Sequence, residues 1–168
     1  FTNNDEYAEK IKMIRVHGKN KRYHYKYIGM GGRLDTIQAA ILLAKLPHYK
    51  KELEDRERVA KNYTNTLTGS LTLPIIKSNR TSVWAQYTVR VNNRDEVKKK
   101  LQDNGIPTSI FYPIPLHLQE CFRSLNYKMK DFPIAEEASN CVLSLPMNAY
   151  LRESNISLIL KEVSKAIT

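Results

Sequence analysis

Residues 34–46 constrain the fold of this chain more than any other stretch. Leu34, Ile37, Ala40, Ile41, Leu42, Leu43, Ala44 and Leu46 sit among good helix formers, and winding them into a helix leaves almost no polar face. Asp35 is acidic in the first turn and Gln38 follows three residues later, a pairing that resembles a capping box. A helix that is apolar all round has to be buried on several sides, in a core or against a partner chain. The stretch therefore points to an interface. It is not a membrane span, because the longest apolar run, Ala39–Ala44, falls far below the roughly 20 residues needed to cross a bilayer.

The elements around it follow from periodicity and punctuation. Residues 4–16 read as an amphipathic helix with Asn4 as N-cap, apolar Tyr7, Ile11 and Ile14 on one side, and Gly18 as its stop. A basic, Tyr-rich connection over 18–32 ends in Gly29-Met30-Gly31-Gly32, where the glycines imply unusual backbone angles or a close backbone approach. Pro47 punctuates. A long helix over 48–67 then carries Tyr49, Leu53, Ala60, Tyr63 and Leu67 as its stripe. Residues 83–91 alternate as a strand, with Val83, Ala85, Tyr87, Val89 and Val91 on one face. A polar helix over 94–103 closes at Asn104-Gly105, and a β-branched strand is expected around Ile106–Ile110. Tyr112-Pro113-Ile114-Pro115 reads as an extended loop. Short helical pieces are expected near 117–125 and 133–141, and a strand at Val142–Ser144. The last helix buries Ile156, Ile159, Leu160, Val163 and Ile167. This order gives an α+β class, a small mostly antiparallel sheet packed with helices.

Composition narrows the function. At 168 residues, the apolar and charged fractions are those of a soluble globular protein. The N-terminus opens polar, with no visible signal peptide. Cys121 and Cys141 lack any CxxC spacing, which argues against a disulfide scaffold or a zinc site and suits a reducing cytoplasm. The chain starts at Phe1 rather than Met, as a processed protein or a piece of a longer one would.

The formal charge of +10 is concentrated early, at Lys10, Lys12, Arg15, Lys19, Lys21, Arg22 and Lys26. A solvated face is the simplest reading of such a run. A site for a nucleotide-sugar diphosphate comes next, and nucleic acid, with Tyr23, Tyr25 and Tyr27 for stacking, ranks third.

Self-contained catalytic signatures are absent: there is no Walker loop, nucleophile elbow or zincin motif. His17 and His24 make a poor metal pair. His117 and Cys121 lie four apart, a spacing open to a Cys–His dyad but more in keeping with a partly buried structural cysteine. The adjacent carboxylates Glu136 and Glu137 on a short helix are open to acid–base work, but they point to different faces and more simply read as solvent-facing.

Two segments combine rigid backbone with polar groups. In Gly29-Met30-Gly31-Gly32-Arg33-Leu34-Asp35, free amides at a helix start plus Arg33 suit a phosphate or carboxylate, with a tight turn into a buried helix as the equal alternative. In Phe111-Tyr112-Pro113-Ile114-Pro115-Leu116-His117, prolines hold a phenol and an imidazole at set positions, with an ordinary packed connection as the alternative.

These two segments, together with Arg15-Val16-His17-Gly18, Phe132-Pro133-Ile134-Ala135-Glu136 and Leu143-Ser144-Leu145-Pro146-Met147, resemble the DegT/StrS-type nucleotide-sugar aminotransferases in order and spacing. The resemblance covers essentially the whole chain. It implies a fold-type-I homodimer that uses pyridoxal phosphate and acts on a nucleotide-linked sugar, with an upstream Schiff-base lysine that this chain does not contain. By the same resemblance, residues 1–46 are the trailing segment of the large cofactor domain and 47–168 the small C-terminal domain. The 34–46 helix then belongs to the dimer interface. Gly31 takes the place of the family asparagine that meets the cofactor phosphate in the neighbouring subunit, so only a backbone amide remains there. Arg33 matches the family arginine that binds anionic groups at the same place. Tyr112 and His117 match the substrate-side wall, and Phe111 stands where a polar histidine sometimes does.

Overall fold

The computed structural model describes residues 1–67, 69 and 71–167. The chain divides into two compact units, Phe1–His48 and Tyr49–Thr168.

The first unit begins with α1 (Asp5–Ile14), where Asn4 accepts from the Tyr7 amide at 3.0 Å and Asp5 and Glu6 face the positive helix end. Gly18 terminates it with φ +76°, donating to Met13 O at 2.8 Å while its own carbonyl accepts from Lys26 and Tyr27. A side chain at Gly18 would collide with Tyr27 O at 1.7 Å, so the turn is open only to glycine. The basic residues then form a small antiparallel hairpin, β1 (Lys19–Lys21) and β2 (His24–Tyr25), all of it exposed.

α2 (Thr36–Lys45) matches the expected apolar helix, and Pro47 lies in the 3-10 turn Leu46–His48 that follows. Two expectations change. Asp35 occupies the N-cap rather than the first turn, and its carboxylate makes no cap bond, so there is no capping box. No residue of α2 is buried: Ile37 is 77% exposed and Leu43 69%.

The second unit is α+β. Its three-stranded antiparallel sheet has the order β3 (Leu71–Thr72), β4 (Tyr87–Val91), β5 (Val142–Leu145). The helices are α3 (Tyr49–Thr66), α4 (Arg94–Asp103), α5 (Pro133–Cys141) and α6 (Glu153–Ala166). Tyr87, Val89 and Val91 alternate into the core, with Tyr87 opposite Leu145 and Val89 opposite Leu143. They meet Val59, Tyr63 and Leu67 near one end of α3, Leu101 of α4, and Ile156, Ile159 and Val163 of α6. Tyr63 is fully buried, donates its hydroxyl to Pro146 O at 2.8 Å and packs edge-on against Tyr87 at 5.1 Å. Of the expected last-helix stripe, Leu160 and Ile167 are only partly buried, and Ala166 completes the face.

The strand expected over 83–91 is shorter than its alternation suggests. Trp84 adopts φ +46°, buries its indole and donates from Nε1 to Glu57, while Val83 stays exposed. The strand expected around Ile106–Ile110 reduces to one bridge, in which Ser109 N reaches Ser144 O at 3.1 Å and Ser144 N reaches Ser109 O at 2.8 Å. Pro107 has no N–H with which to extend that pairing. No helix among the described residues is long and apolar enough to cross a membrane.

Candidate functional site

In the first unit, residues 29–32 lie along residues 14–17. Met30 N donates to Ile14 O at 2.9 Å, His17 N to Met30 O at 3.1 Å and Gly32 N to Arg15 O at 2.8 Å. Gly31 bridges Val16 within this pairing, yet its own amide has no partner among the described residues. A Cβ added at Gly31 would stand 3.3 Å from His17 Cε1, a contact that the end of a side chain relieves by a small shift. Arg33, two residues on, is exposed, and its guanidinium has no partner among the described residues. An unused amide and, two residues on, an unpaired guanidinium are donors of the kind an anion takes. Asp35 at the start of α2 places a carboxylate on the helix's positive end.

In the second unit, two prolines stiffen the loop that carries the other expected residues. Leu118 N closes a turn onto Pro115 O at 3.0 Å, and Gln119 Nε2 donates to Ile114 O at 3.2 Å. Phe111 and Tyr112 are both exposed, with their rings edge-to-face at 6.1 Å. Phe111 borders a cavity of about 340 Å³ that is also lined by Gln86, Ser109, Pro146 and Met147. Tyr112 is 73% exposed, and its hydroxyl has no partner among the described residues.

His117 is placed differently. Its side chain is 7% exposed, and Nε2 lies 2.9 Å from Glu136 Oε1. The four-residue spacing to Cys121 does not make a dyad: the segment forms two 3-10 turns, Leu116–Leu118 and Glu120–Leu125, and Cys121 is exposed rather than partly buried.

Glu136, expected to face solvent, has a side chain only 12% exposed. It lies in the first turn of α5, whose first residue is Pro133, and its carboxylate reaches back to the Lys130 amide with both oxygens, at 2.8 and 2.9 Å. It also accepts from Phe132 N at 3.3 Å and from His117. Desolvation pushes the carboxyl pKa up, but the Lys130 amide, His117 and the Phe132 amide together outweigh it and hold it below the ordinary glutamate value. Glu137 turns away to pair with Arg90. The sequence signal for Glu136 was Pro133 at the helix start with a carboxylate in the following turn, a capping pattern rather than a catalytic one. Among the described residues, no cluster of His, Cys, Asp and Glu could hold a metal ion.

Comparison with known proteins bears on both segments. Residues 1–164 match the model of the DegT/DnrJ/EryC1/StrS aminotransferase family. A Pseudomonas aeruginosa protein named UDP-2-acetamido-2-deoxy-3-oxo-D-glucuronate aminotransferase is 42% identical over 160 residues, covering 95% of this chain and 44% of that protein. A Geobacillus stearothermophilus protein named pleiotropic regulatory protein is also 42% identical, over 98% of this chain and 45% of its own length. The crystal structure of a DegT DnrJ EryC1 StrS aminotransferase from Brucella abortus superposes with a TM-score of 0.86 at 36% identity, covering 99% of this chain and 45% of that one. The chain thus spans about half the length of the curated relatives it matches.

Proposed function

Because the chain belongs to the DegT/DnrJ/EryC1/StrS aminotransferase family, we propose that it is the C-terminal part of a pyridoxal-phosphate-dependent enzyme that aminates a keto group on a nucleotide-linked sugar. Glutamate is the amino donor in this reading, and the product feeds the cytoplasmic assembly of a surface polysaccharide or other glycan. Residues 1–46 are the trailing segment of the large domain, and 47–168 are the small domain. The observation that carries the reading is the collinear family match over residues 1–164, at 42% identity to a relative named for a UDP-linked 3-oxo sugar acid.

Pyridoxal phosphate is the cofactor of this family, and the residues present fit part of it: the unused Gly31 amide and the unpaired Arg33 guanidinium form an anion-binding pair. When bound, the cofactor supplies the electron sink for chemistry at the amine-bearing carbon. Gly31 and Arg33 hold anionic groups, while Phe111 and Tyr112 offer an exposed aromatic wall for the sugar. The lysines and arginines of 10–26 raise the local concentration of a diphosphate-bearing substrate. The Schiff-base lysine is not among this chain's residues in this reading, so the chain alone does not transaminate. α2, apolar and wholly unburied, packs in a homodimer against a second copy.

The test is to express the full reading frame that contains these residues and to assay amino transfer from glutamate to UDP- and dTDP-linked keto sugars. Turnover with a borohydride-trappable cofactor adduct supports the reading. The same adduct and turnover from the 168-residue chain alone would overturn the assignment of the lysine.

A regulatory or binding role is the second reading, favoured by the name of the Geobacillus relative. Under it, the protein binds a sugar nucleotide or a protein partner without turnover. DNA binding with a steep salt dependence and no response to sugar nucleotides is the outcome that would move the nucleic-acid reading ahead of both.

A further inference from the structure

We propose that Glu136 is a positioning residue that fixes His117 as its Nε2–H tautomer, leaving Nδ1 as an acceptor for a hydroxyl or amide N–H of the bound sugar. The inference rests on the proposed function only for the identity of the ligand; the tautomer follows from geometry. Lys130 N and Phe132 N are backbone amides and can only donate, and both point at the Glu136 carboxylate, at 2.8–2.9 and 3.3 Å. A carboxylate gripped by amide donors is ionised and acceptor-only. Its contact with His117 at 2.9 Å is therefore a hydrogen bond in which the imidazole donates from Nε2. The ring's one remaining polar atom is Nδ1, which has no partner among the described residues.

The ring has little freedom to choose otherwise. Phe132 lies against it with centroids 4.8 Å apart, and Tyr127 backs Phe132 edge-on at 5.1 Å. Glu136 also stabilises Lys130, which holds the left-handed φ of +79°, unusual for a residue with a side chain. One carboxylate thereby ties together the turn that carries His117, the turn at Lys130 and the start of α5. His117 follows Tyr112 after a segment containing Pro113 and Pro115, so anchoring the imidazole also limits where the phenol can go.

A neutral Nδ1 lone pair attracts a sugar hydroxyl or an acylamino N–H and repels the oxygens of a phosphate or carboxylate.

The test has two arms. In the 168-residue chain labelled with 15N-histidine, the His117 ring nitrogens are assigned by their loss in His117→Asn, and their proton couplings report the tautomer. At a pH where the ring is neutral, the expected result is protonation at Nε2 in the wild type and a tautomer mixture in Glu136→Gln. A neutral wild-type ring that carries its proton on Nδ1 overturns the proposal without any Glu136 variant. In the enzyme from the full reading frame, Glu136→Gln should raise KM for the nucleotide sugar roughly tenfold or more, the effect of losing a charged hydrogen bond, with kcat changed less than about threefold. Glu136→Asp should recover part of that loss. Unchanged KM in an active Glu136→Gln enzyme overturns the inference and spares the proposed function. A wild-type enzyme that turns over no nucleotide sugar overturns the proposed function, while the tautomer result still stands.

Discussion

Replacing Tyr63 by phenylalanine isolates one partly buried hydrogen bond of the second unit. The Tyr63 ring is fully buried, and its hydroxyl donates to Pro146 O at 2.8 Å. Burial, with the neighbouring Tyr87 adding to it, pushes the phenol pKa far above its ordinary value, so the group is a neutral donor at any pH at which the chain folds. Tyr63→Phe keeps the ring and its edge-on contact with Tyr87, opens no cavity, and removes the donor to the Pro146 carbonyl. A net hydrogen bond contributes about 1 kcal/mol, and water can reach the partly exposed Pro146, so the expected loss is about 0.5–1.5 kcal/mol. With a urea dependence near 2 kcal/mol per molar, the midpoint falls by about 0.3–0.7 M at an unchanged slope. The single tryptophan, Trp84, lies 5.4 Å from Tyr87, so its fluorescence follows the unfolding of this unit. Tyr63→Ala, which also leaves a cavity, should cost about 3–5 kcal/mol. A Tyr63→Phe protein within about 0.3 kcal/mol of the wild type would refute the reasoning, because the bond would then contribute no more than water does.

Glu136 gives a pH prediction. Its folded pKa is depressed, so its contribution to stability is present above the ordinary glutamate value of about 4.3 and is lost as pH falls through the lower folded value. Thermal melts of the wild type should therefore lose stability on acidification below about pH 4.3 through a step that Glu136→Gln lacks. Gly31→Asn meets only the His17 ring at 3.3 Å, so the variant should fold, and in the cofactor-loaded enzyme it should tighten pyridoxal-phosphate binding, read by equilibrium titration. Gly18→Ala places a methyl 1.7 Å from Tyr27 O at a φ of +76°, and hydrogen exchange should show the hairpin amides of the first unit losing protection. Leu43→Glu puts a charge on the apolar α2 surface; it should weaken self-association by about a hundredfold or more in sedimentation while leaving the Trp84 transition unmoved.

The sequence revealed elements whose rules are local and hid those decided by distant partners. α4 appears at Arg94–Asp103 as expected, because a polar helix closed by Asn104-Gly105 needs only its own residues to define it. α1 begins where Asn4 caps it for the same reason. The alternation over 83–91 was real but overran, since period-2 counting cannot see that Glu57 and Arg56 of α3 hold Trp84 by its indole and carbonyl. Val83 therefore fits the pattern and lies outside the sheet. The Ile106–Ile110 stretch has the right residue types for a strand, but pairing depends on donors, and Pro107 lacks one.

The same division separates the two candidate segments. Gly31, Arg33, Phe111 and Tyr112 stand out through residue type and family resemblance, and all four are exposed. Glu136 was misread because adjacency to Glu137 says where a carboxylate points on an isolated helix and nothing about amides that fold back to meet it. Its partners are Lys130 and Phe132, just before the helix, and His117, nineteen positions earlier. α2 poses the reverse case. Its pattern demands burial on several sides, and the described residues bury none of it. An apolar helix that its own chain leaves bare, in a chain spanning about half the length of its relatives, calls for cover from outside these residues. For that reason the Leu43→Glu experiment tests the proposed dimer rather than the stability of the first unit.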